Sequence, residues 1–153
     1  MPNVLLLSIR PKYASQLFNG TKKIELRRVR PRLEAGDIVV VYVSAPDKVL
    51  SGFFEVEDVI QDRPDNLWYK VKDNAGIEKK DFNEYYEEAA VGYGICLKLI
   101  EHFEPPVTLQ DLRAKWANFR PPQSYHYLTT REFEYLKSIV EDKMEIRSEH
   151  YIN

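Results

Sequence analysis

Two short runs, Val4–Ile9 and Ile38–Ser44, are almost unbroken in apolar side chains and are bounded by turn residues. A strand points successive side chains to opposite faces, so a run without polar alternation must be covered on both sides. A chain of 153 residues therefore has to place these runs inside a sheet and supply a layer above and below it. That length suits one domain, read here as residues 1–153, with a core over about 3–104 and a helical extension over about 105–153. A content of 44% hydrophobic and 30% charged residues is that of a globular protein and excludes collagen-like, disordered and disulfide-stapled classes.

The remaining elements follow from period and punctuation. Pro11–Phe18 reads as a short helix, with proline in its first turn and Asn19-Gly20 as its stop. Lys23–Arg28 alternates Ile24 and Leu26 against charge, the mark of a half-buried strand. Val49–Ile60 and Val91–Ile100 read as further strands, the second ending before Pro105-Pro106. A helix starts at Asp62–Pro64 and stops by Gly76, and another covers Lys79–Tyr86. Thr108-x-x-Asp111 and Thr129-x-x-Glu132 are helix N-termini, the second heading a helix to about Met144 with Phe133, Leu136, Val140 and Met144 on one stripe. The expected fold class is α+β: five or six short strands in a small curled sheet or partial barrel, with peripheral short helices and a C-terminal helix.

Net charge is −2, but it is unevenly placed: residues 1–40 carry a net +5, residues 41–104 a net −7 and residues 105–153 none. Such asymmetry steers an anion to one region. The basic set is Arg10, Lys12, Lys22, Lys23, Arg27, Arg28, Arg30 and Arg32. Arg10 and Lys12 flank a helix start, where backbone N–H groups favour anions. Arg28, Arg30 and Arg32 alternate on a segment that Pro31 keeps extended, giving either a phosphate track or a solvated basic edge. His102, His126 and His150 have no ligand spacing, so no metal is expected, and no cofactor loop of the Walker or dinucleotide kind is present. The lone Cys96 reads as an inert core residue. No apolar run nears the ~20 residues that span a bilayer, and the N-terminus lacks a signal-peptide pattern, so the expectation is a cytoplasmic protein without a membrane partner.

The most informative stretch is Gly20-x-Lys22-x-x-Glu25-x-Arg27. With Ile24 and Leu26 facing the core, Lys23, Glu25 and Arg27 share the other face. Lys22 joins Glu25 only if it lies in the turn after Gly20, before the pleat begins. The result is a cation–carboxylate–cation group at a pocket edge, or an ordinary surface ion pair. A lysine paired with a glutamate stays protonated, which suits anion binding better than nucleophilic attack. Gln123–Tyr127 alternates polar and aromatic residues behind Pro121-Pro122, and its Tyr125 is a candidate for stacking on a base at the cleft mouth. Trp68 and Trp116 fit either a stacking surface or the apolar stripe of their own helices.

The spaced Gly20, Lys22, Glu25 and Arg27 resemble the G-x-K-x-x-E-x-R signature of the ASCH domains, a branch of the PUA-like superfamily. The Leu5-to-Pro11 strand and turn, the Tyr13–Phe18 helix, the Gly36–Tyr42 strand and a closing strand at Tyr93–Lys98 occur in the family's order, so the resemblance covers about residues 3–104. The Pro121–Tyr125 segment resembles a tail on some prokaryotic PUA-like proteins described as regulators. The resemblance implies a β pseudo-barrel with a cleft beside the first helix, holding Lys22, Glu25 and Arg27. It further implies binding of RNA or of a nucleotide, and the leading reading is a non-enzymatic module that binds RNA or a nucleotide with a modified base, with enzyme status left open. Some members resemble small amidohydrolases acting on an acylated cytidine such as N4-acetylcytidine. They carry threonine at the Glu25 position and a downstream glutamate, where this chain offers Asp73. On that alternative Lys22 and Glu25 are the catalytic pair. A second alternative is a protein-interaction domain whose cleft is vestigial.

Overall fold

A computed structural model describes residues 2–152, with side chains placed for 2–144. Its elements are β1 (Val4–Ile9), α1 (Pro11–Asn19), β2 (Ile24–Arg27), β3 (Ile38–Val43), β4 (Val49–Asp62), α2 (Pro64–Val71), α3 (Lys79–Tyr85), β5 (Gly92–Thr108), α4 (Leu109–Lys115), β6 (Tyr125–Leu128) and α5 (Thr130–Ile152). The six strands form one curled half-barrel sheet in the order β2-β5-β4-β3-β1-β6. β1 and β3 pair in parallel, Val4 opposite Ile38 through Ile9 opposite Val43, and all other neighbours are antiparallel.

The two apolar runs are the interior strands, covered on both faces. Leu5, Leu7, Val39 and Val41 point to one side, where Ala14 and Leu17 of α1 complete the cluster. Val4, Leu6, Val40 and Tyr42 point to the other, against Leu112 of α4 and Leu136, Ile139 and Val140 of α5. A third cluster seats Ile24 and Leu26 of β2 on Leu67 and Val71 of α2 and on Phe82 and Tyr86 of α3. Trp68 tilts against Phe82, and Trp116 sits edge-on to Phe119 and Tyr135, so both tryptophans pack on their helices' own surroundings. Cys96 is partly buried beside the third cluster, and burial raises its thiol pKa, in keeping with an inert role.

Both predicted capping signals are made. Thr108 Oγ1 accepts from the Asp111 amide, and Thr129 and Glu132 cap each other reciprocally at 2.9 and 3.1 Å. Three expectations need correction. The closing strand does not stop before Pro105-Pro106: β5 runs to Thr108. Its register against β4 jumps from Gly52–His102 to Leu50–Val107, so both prolines fall in the skipped stretch, where no ladder N–H is required. The helix at Pro64 ends at Val71 rather than at Gly76, and the loop that follows matters below. Residues 28–32 form bends and irregular chain instead of a regular extended edge.

β4 lies close against its neighbours at Gly52. A Cβ there would lie 2.4 Å from the Glu101 carbonyl oxygen and 2.7 Å from a ring carbon of Phe18. Gly52→Ala should therefore cost about 1–3 kcal/mol, because the carbonyl belongs to the paired strand and cannot swing away. Chemical denaturation would show this as a lower midpoint at an unchanged slope.

Candidate functional site

α1 ends at Gly20, which takes the left-handed conformation (φ 85°) and turns the chain sharply. The Lys22 amide then closes onto the Gln16 carbonyl at 3.0 Å, and Lys22 lies in the turn before β2 starts, as its joining Glu25 required. Its side chain runs inward and is only 5% exposed. The ammonium donates to the carbonyl of Ile24 and to that of Ala75, both at 2.8 Å. Ala75 is presented by the loop after α2, which also accepts both the Lys23 and Ile24 amides on the Asn74 carbonyl.

The expected Lys22–Glu25 ion pair is not formed. Lys22 spends its ammonium on backbone carbonyls, and Glu25 Oε2 is buried with no hydrogen-bond partner. The physical reason is reach: a lysine starting in the turn meets the carbonyls of its own strand and of the adjoining loop first. Burial lowers the Lys22 pKa, with Glu25 partly opposing, so the amine is easier to deprotonate than a paired surface lysine. Burial raises the Glu25 pKa, with the Lys22 and Arg27 charges holding it down in part.

Arg27 reaches the opposite edge of the sheet. Its Nη2 donates to Ser124 Oγ at 2.7 Å and its guanidinium lies 4.9 Å from the Tyr125 ring centroid. Tyr125 itself is 37% exposed on β6. Arg32 does the same further along, stacking 4.4 Å from the ring centroid of Tyr127, whose hydroxyl accepts the Arg32 amide. β2 and the irregular chain that follows it are thus joined to β6 by arginine–tyrosine pairs. Ser124 and Tyr125 stand against Arg27, and no residue of Gln123–Tyr127 lines the pocket beside Glu25.

The space around these groups is an open pocket of about 530 Å³. It is lined by Arg10, Lys22, Glu25 and Arg27 from the predicted set, and by Tyr13, Ala75, Asp81, Glu84 and Tyr85. Arg10 stands at the N-cap of α1, where no side chain caps the helix and no acidic residue occupies the first turn. Lys12 is exposed next to it, 5.7 Å from the Tyr13 ring centroid, and Lys22 Nζ is 5.6 Å from the same centroid. Lys23 is exposed and does not line the pocket. Arg28 covers the Tyr85 ring at 4.9 Å, and Arg30 donates to the Gln61 side chain, so both are exposed cations outside it.

Reading the sequence for cations missed the pocket's other wall. Asp81, Glu84 and Tyr85 occupy one face of α3 at i, i+3 and i+4, and that spacing was the available signal. Ser124 and Tyr13 had no comparable local mark. Among the described residues no cluster of His, Cys, Asp and Glu could hold a metal, and no helix is long and apolar enough to cross a membrane. The side chain of His150 lies outside the described residues.

Comparison with known proteins places this geometry in a family. The ASCH domain model matches residues 7–107. A Zymomonas mobilis protein described as an ASCH domain-containing ribonuclease is 28% identical over 138 residues, spanning 88% of this chain and 90% of that protein. The crystal structure of ASCH from Zymomonas mobilis superposes with a TM-score of 0.80 at 27% identity, covering 88% of this chain and 94% of that one. Human THYN1, solved in complex with 5-methylcytosine-containing DNA, shares the fold at a TM-score of 0.57 and 16% identity, covering 91% of this chain and 98% of that one. With the motif-bearing pocket, the half-barrel sheet and a family match that spans about two thirds of its length, the chain belongs to the ASCH domain family of the PUA-like superfamily.

Proposed function

We propose that this protein binds single-stranded RNA and takes one nucleotide into the pocket beside Glu25. The observation that carries this reading is the Glu25 carboxylate: its Oε2 is buried without a hydrogen-bond partner, it makes no ion pair, and Glu25 lines a cavity large enough for a nucleoside. The carboxylate takes no hydrogen bond from the protein side chains around it, and N–H donors on a base edge would supply one on its pocket side. Arg10 and the uncapped start of α1 would take the adjoining phosphate, and Lys12, Arg28 and Arg30 would follow the backbone. Tyr125, already under a guanidinium, offers a platform for a neighbouring base. The open pocket favours this reading over a vestigial cleft.

Replacing Arg28 and Arg30 together by alanine should weaken binding about equally for all sequences and flatten the log–log salt dependence by about 1–2 units. Fluorescence anisotropy with labelled single-stranded RNA across a salt series reads both. An unchanged slope removes those arginines from the interface, and no RNA binding by the intact protein at low salt overturns the function.

A second reading, RNA cleavage, is favoured by the relative described as a ribonuclease. In this pocket Glu25 would take the proton of a ribose 2′-hydroxyl as its oxygen attacks phosphorus. Lys22, its pKa lowered, would return a proton to the departing 5′-oxygen, leaving a 2′,3′-cyclic phosphate and a 5′-hydroxyl end. End-labelled RNA on a gel tests it, with cyclic-phosphate ends as the expected product. Acetate release from N4-acetylcytidine tests the amidohydrolase alternative in the same pocket.

A further inference from the structure

We propose that the cavity between α4 and residues 117–121 is a second phosphate subsite, holding the same RNA strand a few nucleotides from the one in the Glu25 pocket. This rests on the reading of that pocket as a nucleotide site. The cavity has a volume of about 410 Å³, and its lining includes Arg113, Asn118 and Arg120 and no acidic residue. Neither arginine enters an ion pair among the described residues, and the acid of α4, Asp111, is taken by Lys143. Arg113 is also held in place. Its Nε donates to the Phe119 carbonyl at 3.2 Å, and the Phe119 ring is buried in the core. That leaves its two Nη groups, the end that grips a phosphate with paired N–H bonds.

The fold joins this cavity to the first pocket. Arg113 lies near enough to Tyr42 of β3 for its charge to act on the hydroxyl, and Tyr42 stands opposite Ser8 in the parallel β1–β3 pair. Ser8 ties down the segment between the two pockets. Its hydroxyl donates to the Pro122 carbonyl at 2.6 Å and its amide to the Ser124 carbonyl at 2.9 Å. Pro121 lines the cavity, and Ser124 accepts from Arg27, which lines the Glu25 pocket. Pro121 and Ser124 are three residues apart, so about 11 Å at most separates them. Even a small single-strand-binding fold covers ~4 nucleotides, a longer reach than that. The connecting Pro-Pro-Gln-Ser carries no acid to repel a phosphate. A strand leaving the first pocket past Arg27 therefore meets Arg120 and Arg113 next. Net charge hides this cluster, because residues 105–153 sum to zero.

The test uses the intact protein and a labelled oligouridine decamer, read by anisotropy across a salt series. Replacing Arg113 and Arg120 together by alanine should weaken binding about 10-fold at low salt and flatten the log–log salt dependence by about 1–1.5 units, the release expected for two contacts to a single strand. Arg120→Glu alone should weaken binding at least as much. That side chain is exposed and makes no hydrogen bond within the protein, so its thermal midpoint should hold. Arg131→Ala is the control for net charge. Arg131 is exposed, lines neither cavity and follows Leu128, which pairs with Val4 at the far end of β1 from Ser8. It should leave the slope unchanged. Wild-type binding with no effect of Arg120→Glu would overturn the subsite and leave the Glu25 pocket standing. So would an equal effect of Arg131→Ala, which would mean that only overall charge matters. No binding of the decamer by the wild type at low salt would remove the RNA reading and the subsite together.

Discussion

Leu136→Ala should lower the thermal midpoint by roughly 6–12 °C. Leu136 is fully buried in the cluster that joins α5 to the sheet through Leu6, Val40 and Phe53. A leucine-to-alanine change in such a site removes transfer energy and leaves a cavity, about 3 kcal/mol in total, and for a chain of this size each kcal/mol moves the midpoint by about 2–4 °C. The neighbours cannot close the gap easily, because Phe53 is already held edge-on by Phe103 and Phe133. The same cluster predicts the limiting case. Ending the chain at Glu104 removes Val107, Leu112, Phe119, Leu128, Leu136, Ile139 and Val140 from it and strips β6 from β1. That fragment should show no cooperative unfolding transition by circular dichroism. A small shift for Leu136→Ala, below about 0.5 kcal/mol, would mean that α5 contributes little to holding the sheet.

What the amino-acid sequence discloses divides along the range of the forces involved. β1 and β3 are legible because continuous burial writes a continuous apolar run, and α1 and α5 because their ends carry a glycine stop and a reciprocal cap. β5 is misjudged at Pro105-Pro106 because the register jump against β4 decides whether a proline costs a ladder bond, and nothing local records that. β6 is four residues long and exists through pairing with β1, more than a hundred residues away in the chain. The site divides in the same way. Lys22, Glu25 and Arg27 lie within one turn and one strand, so spacing places them together. The Ala75 carbonyl, Asp81, Glu84 and Ser124 arrive from α3 and from loops, and only the fold brings them in. That is why the expected Lys22–Glu25 pair fails: the competing acceptors for the ammonium, Ile24 and Ala75, are backbone atoms invisible to a motif.

The freed carboxylate leads to an expectation in which stability and binding move in opposite directions. Glu25→Gln should raise the thermal midpoint at pH 7 and weaken RNA binding about 10- to 100-fold, the range for losing hydrogen bonds to a charged group. Burial raises the Glu25 pKa above its ordinary value of 4.5, against the pull of Lys22 and Arg27. Arg10, Asp81, Glu84, Tyr13, Tyr85 and Tyr86 are the other charged and titratable groups around it. The folded state therefore holds a proton that the unfolded state has released between pH 4.5 and the raised value. Stability falls as pH rises through that window, and above it the ionised carboxylate is a standing cost. Glutamine keeps the shape without the charge, so its advantage should grow from nothing below about pH 4.5 to a plateau at neutral pH. Binding should show the converse. The wild type should lose affinity as pH falls through the raised Glu25 pKa and approach the Gln variant, whose own affinity stays flat over that window. Thermal melts and anisotropy titrations on both proteins across pH measure the two curves. A Gln variant that is less stable at pH 7 would mean that Glu25 is satisfied in the folded protein, and undiminished affinity would place the ligand away from it.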